Sequence, residues 1–178
     1  VIELPHLLTE RLDLRVPTAA DIAPMHAIVS HEETGRFLGR AISASAHFER
    51  TARNAGSWLL YGYGGFMVRL RGQEELIGNC GIFHTWRGLG EDFDDNPEAG
   101  WILSHAHGGK GLASEAMHAV LEWFEAAHGP RRIVCMIALG NAASLKLAGK
   151  LGFVPMREAE LPDGDRVVLL SRPPGGSS

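Results

Sequence analysis

The stretch from Ala99 to Gly129 limits the folds open to this chain more than any other part of it. Ala99-Gly100-Trp101-Ile102-Leu103 is a short, nearly all-apolar run, the pattern of a central strand buried on both faces. Gly108-Gly109-Lys110-Gly111 follows, and glycines let the backbone approach a ligand closely and adopt conformations that side chains forbid. The next residues predict the clearest helix of the sequence. Leu112, Ala116, Ala119, Val120, Trp123 and Ala127 share one face, with Ser114, Glu115, His118, Glu122 and Glu125 elsewhere. Gly129-Pro130 ends it. Such a unit aims unpaired backbone N–H groups and the positive helix end at the glycine turn, which suits a pyrophosphate without any basic patch. A turn that only packs a helix against a sheet stays open as the alternative.

Two other nucleotide motifs fit poorly. A P-loop needs Ser or Thr after Gly-Lys, whereas Lys110 is followed by Gly111. A dinucleotide fingerprint needs a third Gly or Ala where Ser114 stands, and it normally follows the first strand of a βαβ unit, not a late one.

Around this block the chain reads mostly as strands, with helices between the later ones. Leu12 to Val16 alternates apolar and polar, and Thr18 with Asp21 resembles a capping box that opens a helix after Pro17. A weaker helix is expected from Ser45 to Asn54, ended by Gly56. Tyr63–Leu70 and Leu76–Phe83 predict a hairpin about Arg71–Glu74, and 87–97 an exposed loop. Arg132–Ala138 predicts a strand, Asn141–Lys150 a helix closed by Gly152, and Phe153–Glu158 with Arg166–Ser171 a last strand pair. The expectation is one α/β domain over 1–178 built on a mixed sheet, with an ordered core of about 8–171 and a flexible tail over 172–178.

Composition narrows the function. Hydrophobic residues make 45% and charged residues 21%, as in ordinary globular domains. Seventeen basic against 21 acidic side chains give a net charge of −4, which argues against a protein that neutralises nucleic-acid phosphates. No apolar run reaches the roughly 18 residues of a membrane span, and the opening Val1-Ile2-Glu3-Leu4-Pro5 carries no secretory pattern. Cys80 and Cys135 lie in separate apolar runs and read as buried free thiols of a reducing cytoplasm. His105 and His107 lack a third ligand, so no metal is expected.

Gly108-Gly109-Lys110-Gly111-Leu112-Ala113, followed by Ser114-Glu115-Ala116, resembles the acyl-CoA signature of the GNAT acetyltransferases, in particular the branch of bacterial ribosomal-protein N-terminal acetyltransferases. The resemblance extends in order through Leu8-Thr9-Glu10-Arg11-Leu12-Asp13-Leu14-Arg15 as the opening strand and Glu98 to Leu103 as the central strand. Asn141-Ala142-Ala143-Ser144 and then Gly152-Phe153 match the last helix and its exit. It covers about residues 8–171 and implies a GNAT fold, a central mixed and mostly antiparallel sheet flanked by helices. One position departs: Gly108 stands where Gln or Arg is usual.

The resemblance implies an N-acetyltransferase that moves the acetyl group of acetyl-CoA to a primary amine by direct attack in a ternary complex. It implies that amides from Gly109 through Lys110, Gly111 and Leu112 to Ala113 cradle the pyrophosphate, that Trp101, Ile102 and Leu103 bind the pantetheine arm like an added strand, and that Asn141 orients it. Ser144 is then placed to protonate the departing thiolate, and Glu98 to take the amine's proton. On their residue types alone, Asn141 equally suits a helix cap, Ser144 a helix surface, Glu98 a solvated strand end and Lys110 a solvated cation. Trp86, with Phe37, Tyr61 and Tyr63, is a candidate wall for the acceptor. The acceptor class stays open among peptide N-termini, polyamines, amino acids and aminoglycosides, and a homodimer stays open against a monomer. A non-catalytic acyl-CoA-binding module and a dinucleotide-binding domain are the rival readings.

Overall fold

The computed structural model describes residues 4–39 and 42–175; the first three residues of the chain's opening and 176–178 of the expected tail lie outside them. Eight strands form one sheet: β1 His6–Leu8, β2 Leu12–Arg15, β3 Gly65–Leu70, β4 Leu76–His84, β5 Pro97–Leu103, β6 Ile133–Ala138, β7 Val154–Glu160 and β8 Arg166–Arg172. Their spatial order is β1-β2-β3-β4-β5-β6-β8-β7. Every pairing is antiparallel except β5 with β6. The helices are α1 Ile22–Ser30, α2 Glu32–Gly35, α3 Ala44–Tyr61, α4 Leu112–His128 and α5 Ala142–Lys150.

The parallel pair exists because α4 carries the chain across the sheet between β5 and β6, a crossover that only a parallel neighbour needs. Leu112, Met117, Val120, Leu121 and Phe124 of α4 are buried in the main core, together with Ala116. Each of the five large side chains contributes about 1.5–3 kcal/mol by leaving water. The buried face is therefore centred on these residues and not on Ala119 and Ala127, of which Ala127 is exposed. Apolar residues lie on several sides of this helix, and only the sheet beneath it decides which side is covered.

Other boundaries moved for local reasons. The helix expected to stop at Gly56 runs on to Tyr61 and stops at Gly62, whose φ of 77° is the left-handed geometry of a C-terminal glycine. A helical glycine costs about 1 kcal/mol. Trp58, packed edge-on to Phe66 and against Trp123, ties the continuation of the helix to the core. The segment 8–15 is not one strand: it holds the end of β1, the turn and β2 of a tight hairpin over 6–15. Thr18 and Asp21 do open a helix: both the Thr18 N–H and its hydroxyl donate to the Asp21 carboxylate, at 2.8 and 2.9 Å. The last strand extends through Arg172, whose buried guanidinium donates to the Leu151 carbonyl and to Glu125.

A candidate acyl-CoA cleft between two splayed strands

β5 and β6 share a single paired position, Glu98 with Val134. Beyond it β5 stays bonded to β4 as far as Leu103, while β6 stays bonded to β8 as far as Ala138. The two strands therefore part into a wedge. Its β5 wall offers the backbone edge of Ala99–Leu103, an unfilled ladder position of the kind an extended ligand can occupy.

One end of the wedge is the glycine turn. His105–His107 forms a short 3-10 turn, so these two histidines do not share a strand face; the His107 ring pairs with the Ser104 hydroxyl at 2.7 Å. Among the described residues no group of three His, Cys, Asp or Glu side chains is arranged to hold a metal. Gly109 and Gly111 have φ of 71° and 76°, left-handed values that favour glycine. Gly111 is the N-cap of α4 and brings no side chain to cap it, so the amides of the first helical turn stay open toward the turn. That arrangement fits a pyrophosphate. Lys110 is exposed and donates its Nζ to the Ala106 carbonyl at 2.9 Å, which closes its own loop.

Arg11 belongs to this turn as well. From the β1–β2 connection its backbone N–H and Nε donate to Glu115, at 2.9 and 2.6 Å, and Nη1 donates to the Lys110 carbonyl at 2.9 Å. Thr9 adds a hydroxyl at 2.6 Å to the same carboxylate. Burial would raise the Glu115 pKa, but Thr9 and Arg11 together hold it below its usual value. Arg11 thereby places a guanidinium beside the glycine turn, where Gly108 brings no side chain. Its signal lay in the Thr9–Leu12 motif; the partner, about a hundred residues away, was not legible.

Across the wedge, Trp101 Nε1 donates to Ser144 Oγ at 3.2 Å. Asn141 caps α5, its Oδ1 accepting from the Ser144 N–H at 3.1 Å. The cap therefore exists, and it leaves the Asn141 amide NH2 free of partners among the described residues. Ile102 faces the opposite side of the sheet from Trp101 and packs against Met25, Val29 and Met67, and Leu103 packs on the main core.

Glu98 is buried, not solvated: only 3% of it is exposed. Its carboxylate accepts from Arg87 Nε and Nη2 at 2.6 and 2.8 Å and from Thr85 Oγ1 at 2.6 Å. Of the aromatic candidates, Trp86, Tyr61 and Phe37 are exposed, with Phe37 beside Gly140 near the far wall of the wedge. Tyr63 is buried in the core and its hydroxyl pairs with His84 Nδ1 at 2.8 Å, which removes it from any acceptor wall. Both cysteines are free and buried. Burial pushes the Cys80 thiol up to about 12, and burial with the nearby Glu98 raises Cys135 well above its usual range, so neither is a thiolate nucleophile.

A mostly antiparallel sheet opened at its one parallel pair, with a glycine-capped helix at the opening, defines a class of acyl-CoA enzymes. The GNAT acetyltransferase domain matches residues 11–154, and the chain belongs to that family. A Bordetella pertussis protein described as a GNAT-family acetyltransferase has 32% identity and a TM-score of 0.84 over 94% of this chain and 99% of that one. A ribosomal L7/L12 alpha-N-protein acetyltransferase, solved with coenzyme A, shares the fold at 18% identity and a TM-score of 0.75, covering 98% of this chain and 99% of that one. An uncharacterized N-acetyltransferase, p20, of Bacillus licheniformis is 28% identical over 88 residues, which is 49% of this chain and 47% of that relative. The chain thus matches about half the length of this curated relative.

Proposed function

We propose that this protein transfers the acetyl group of acetyl-CoA to a primary amine by direct attack, with both substrates held in the β5–β6 wedge. The observation that carries the reading is the wedge itself, open between a glycine-capped helix and the Ser144 hydroxyl. Acetyl-CoA supplies an activated acyl carbon and a thiolate leaving group. The chain supplies the position: backbone amides from Gly109 to Ala113 for the pyrophosphate, the β5 edge at Trp101–Leu103 for the pantetheine arm, and the free NH2 of Asn141 facing it.

Ser144 is assigned as the group that protonates or solvates the thiolate. Its oxygen already accepts from Trp101, which orients the hydroxyl and leaves its hydrogen to donate. Glu98 is assigned as the acceptor of the amine's proton through a water. A carboxylate offers about four acceptor positions. Three are taken by Arg87 and Thr85, which leaves one. The free, buried thiols suit a reducing, cytoplasmic setting, and among the described residues no helix is long and apolar enough to cross a membrane. The test is CoA release with a panel of amines, alongside calorimetric binding of acetyl-CoA. Binding without turnover of any amine would favour the non-catalytic module, and binding of NAD in place of acetyl-CoA would favour the dinucleotide domain.

A further inference from the structure

A second cavity of about 60 Å³ lies on the opposite face of the sheet, between α1, α3 and β3–β5, with Met25, Val29 and Ile102 among its apolar walls. A single water needs about 10–15 Å³ of such volume, so the space suits a compact group of a few heavy atoms. The polar lining comes from one face of α3, through His47, Arg50, Thr51 and Asn54, and from Asn79 on β4.

Two of these side chains are already engaged. Asn54 spends its amide on Gly65, accepting from its N–H at 2.6 Å and donating to its carbonyl at 3.1 Å. Thr51 donates to the His47 carbonyl within the helix at 3.1 Å. The other three each keep a polar group unanswered. His47 is 5% exposed, yet its Nε2 is buried with no hydrogen-bond partner among the described residues. An orphaned buried polar atom is costly unless something answers it. Among the described residues Arg50 makes neither an ion pair nor a hydrogen bond, and the Asn79 side chain makes none.

Among the described residues no carboxylate forms an ion pair with Arg50. Arg50 is an exposed residue of α3, and partial desolvation, then the like charges of Arg53 and Arg87, push its pKa below the usual value. Arg87 is itself committed to Glu98. Burial and His26, its ring 5.2 Å away, lower the pKa of His47, while a bond to the Ile22 backbone raises it; that bond takes the N–H of the neutral ring and leaves Nε2 as a bare acceptor. Arg50 and the Asn79 amide therefore present donors and an unneutralised cation to the pocket, an arrangement that attracts an anion and repels a polycation. The pocket lies across β5 from the proposed transfer site: Ile102 lines it, and the preceding residue, Trp101, bonds Ser144 on the other face of the same strand.

We infer that the acceptor is a small amine carrying a carboxylate, and that Arg50 and Asn79 bind that carboxylate beside the His47 ring. The inference rests on the acetyltransferase reading and selects amino acids, or peptides with an acidic first residue, over polyamines and aminoglycosides. An aminoglycoside or polyamine site would need the opposite lining, carboxylates facing ammonium groups.

The experiment measures initial rates of CoA release with matched acceptors: glycine and aspartate against their amides, Asp-Ala amide against Asn-Ala amide, and spermidine. The expected result is a kcat/KM at least about ten-fold higher for the acid of a pair, equal to about 1.4 kcal/mol. Preference confined to the free amino acids or to the acidic peptide identifies the source of the carboxylate. Arg50→Gln should bring the acid-to-amide ratio toward one while calorimetric acetyl-CoA affinity stays at the wild-type value. A turnover-independent arm titrates N-acetylglycine and N-acetylaspartate, and their amides, into the CoA-loaded protein and follows the His47 ring resonances. Acids should shift these resonances and amides should not. Equal rates and equal binding for acids and amides, preference for spermidine, or an unchanged ratio in Arg50→Gln would overturn the inference. Failure of acetyl-CoA to bind would instead overturn the transferase reading beneath it.

Discussion

Trp101 on β5 and Ser144 on α5 meet across the wedge, indole N–H to hydroxyl oxygen at 3.2 Å. Two elements that share no backbone pairing at this level are thus joined by one side-chain hydrogen bond, at the residue assigned to the leaving group. The bond fixes which way the Ser144 hydroxyl points. Ser144→Ala should lower kcat with little change in acetyl-CoA affinity. The loss approaches the 10²–10⁴-fold typical of a general acid where water does not replace the hydroxyl. Trp101→Phe keeps the ring and removes the N–H, so a smaller loss, about several-fold, is expected as Ser144 rotates freely. Single-turnover kinetics separate chemistry from product release, and an unchanged chemical step in Ser144→Ala would leave the serine as a helix surface residue.

Acetyl-CoA should stabilise the fold and NAD should not. At 100 times its dissociation constant a ligand adds about 2.7 kcal/mol. For a domain of this length that is a rise of about 5–11 °C in melting temperature. Scanning calorimetry with each ligand checks it, and a shift with NAD alone would contradict the assignment of the glycine turn.

Gly111 is the most sensitive position of that turn. At φ of 76° a Val is strained by about 1–2 kcal/mol, whereas Asn enters this region at lower cost. Gly111→Val should therefore weaken acetyl-CoA binding by about ten-fold or more and lower the melting temperature, with Gly111→Asn milder in both. Wild-type affinity in a folded Gly111→Val protein would mean that the turn does not touch the cofactor.

Glu98→Gln addresses the proton. An α-amine, with a pKa of about 8, is partly neutral at pH 7, whereas a lysine-type amine at about 10.4 is not. If Glu98 takes the proton, the variant is slowest relative to wild type at neutral pH and recovers as pH rises and the free amine accumulates. A loss equal at all pH values would assign Glu98 to holding Arg87 and the 85–87 segment in place.

Asp21 ties the acid limb of stability to the acceptor side of the sheet. Burial would raise its pKa, but the Thr18 N–H, the Arg69 guanidinium at 2.5 Å and the Thr18 hydroxyl together hold it below the usual value. A depressed folded-state pKa contributes stability above the unfolded value, about 3.9, and that contribution is lost as pH falls through the folded value. Asp21→Asn should remove this dependence and cost about 1.5–3 kcal/mol, because it takes the ion partner from the half-buried Arg69 guanidinium. Urea melts from pH 7 to pH 3 check both parts.

Local chemistry made much of the fold legible. Strand patterning placed β2, β4, β5 and β6 within a residue or two, because burial on one face writes itself into every second residue and burial on both into an unbroken apolar run. The Thr18–Asp21 box and the Asn141 cap needed only neighbours three residues away. Gly109 and Gly111 could be singled out because a left-handed backbone leaves few residue types to choose from.

What only the tertiary structure decided are relationships without a local signature. Nothing near Arg11 in the sequence names Glu115, and nothing near Glu98 says that its carboxylate is already held by Arg87 and Thr85. The wedge is a pairing that does not form, and a missing pairing has no residue pattern of its own. The unanswered Nε2 of His47 became visible only when α3 was laid on the sheet and the cavity walls closed around it. Sequence by itself determined elements whose cause is one backbone's own periodicity and sterics; burial, charge balance and empty space are sums over distant residues, and those the packed chain alone settles.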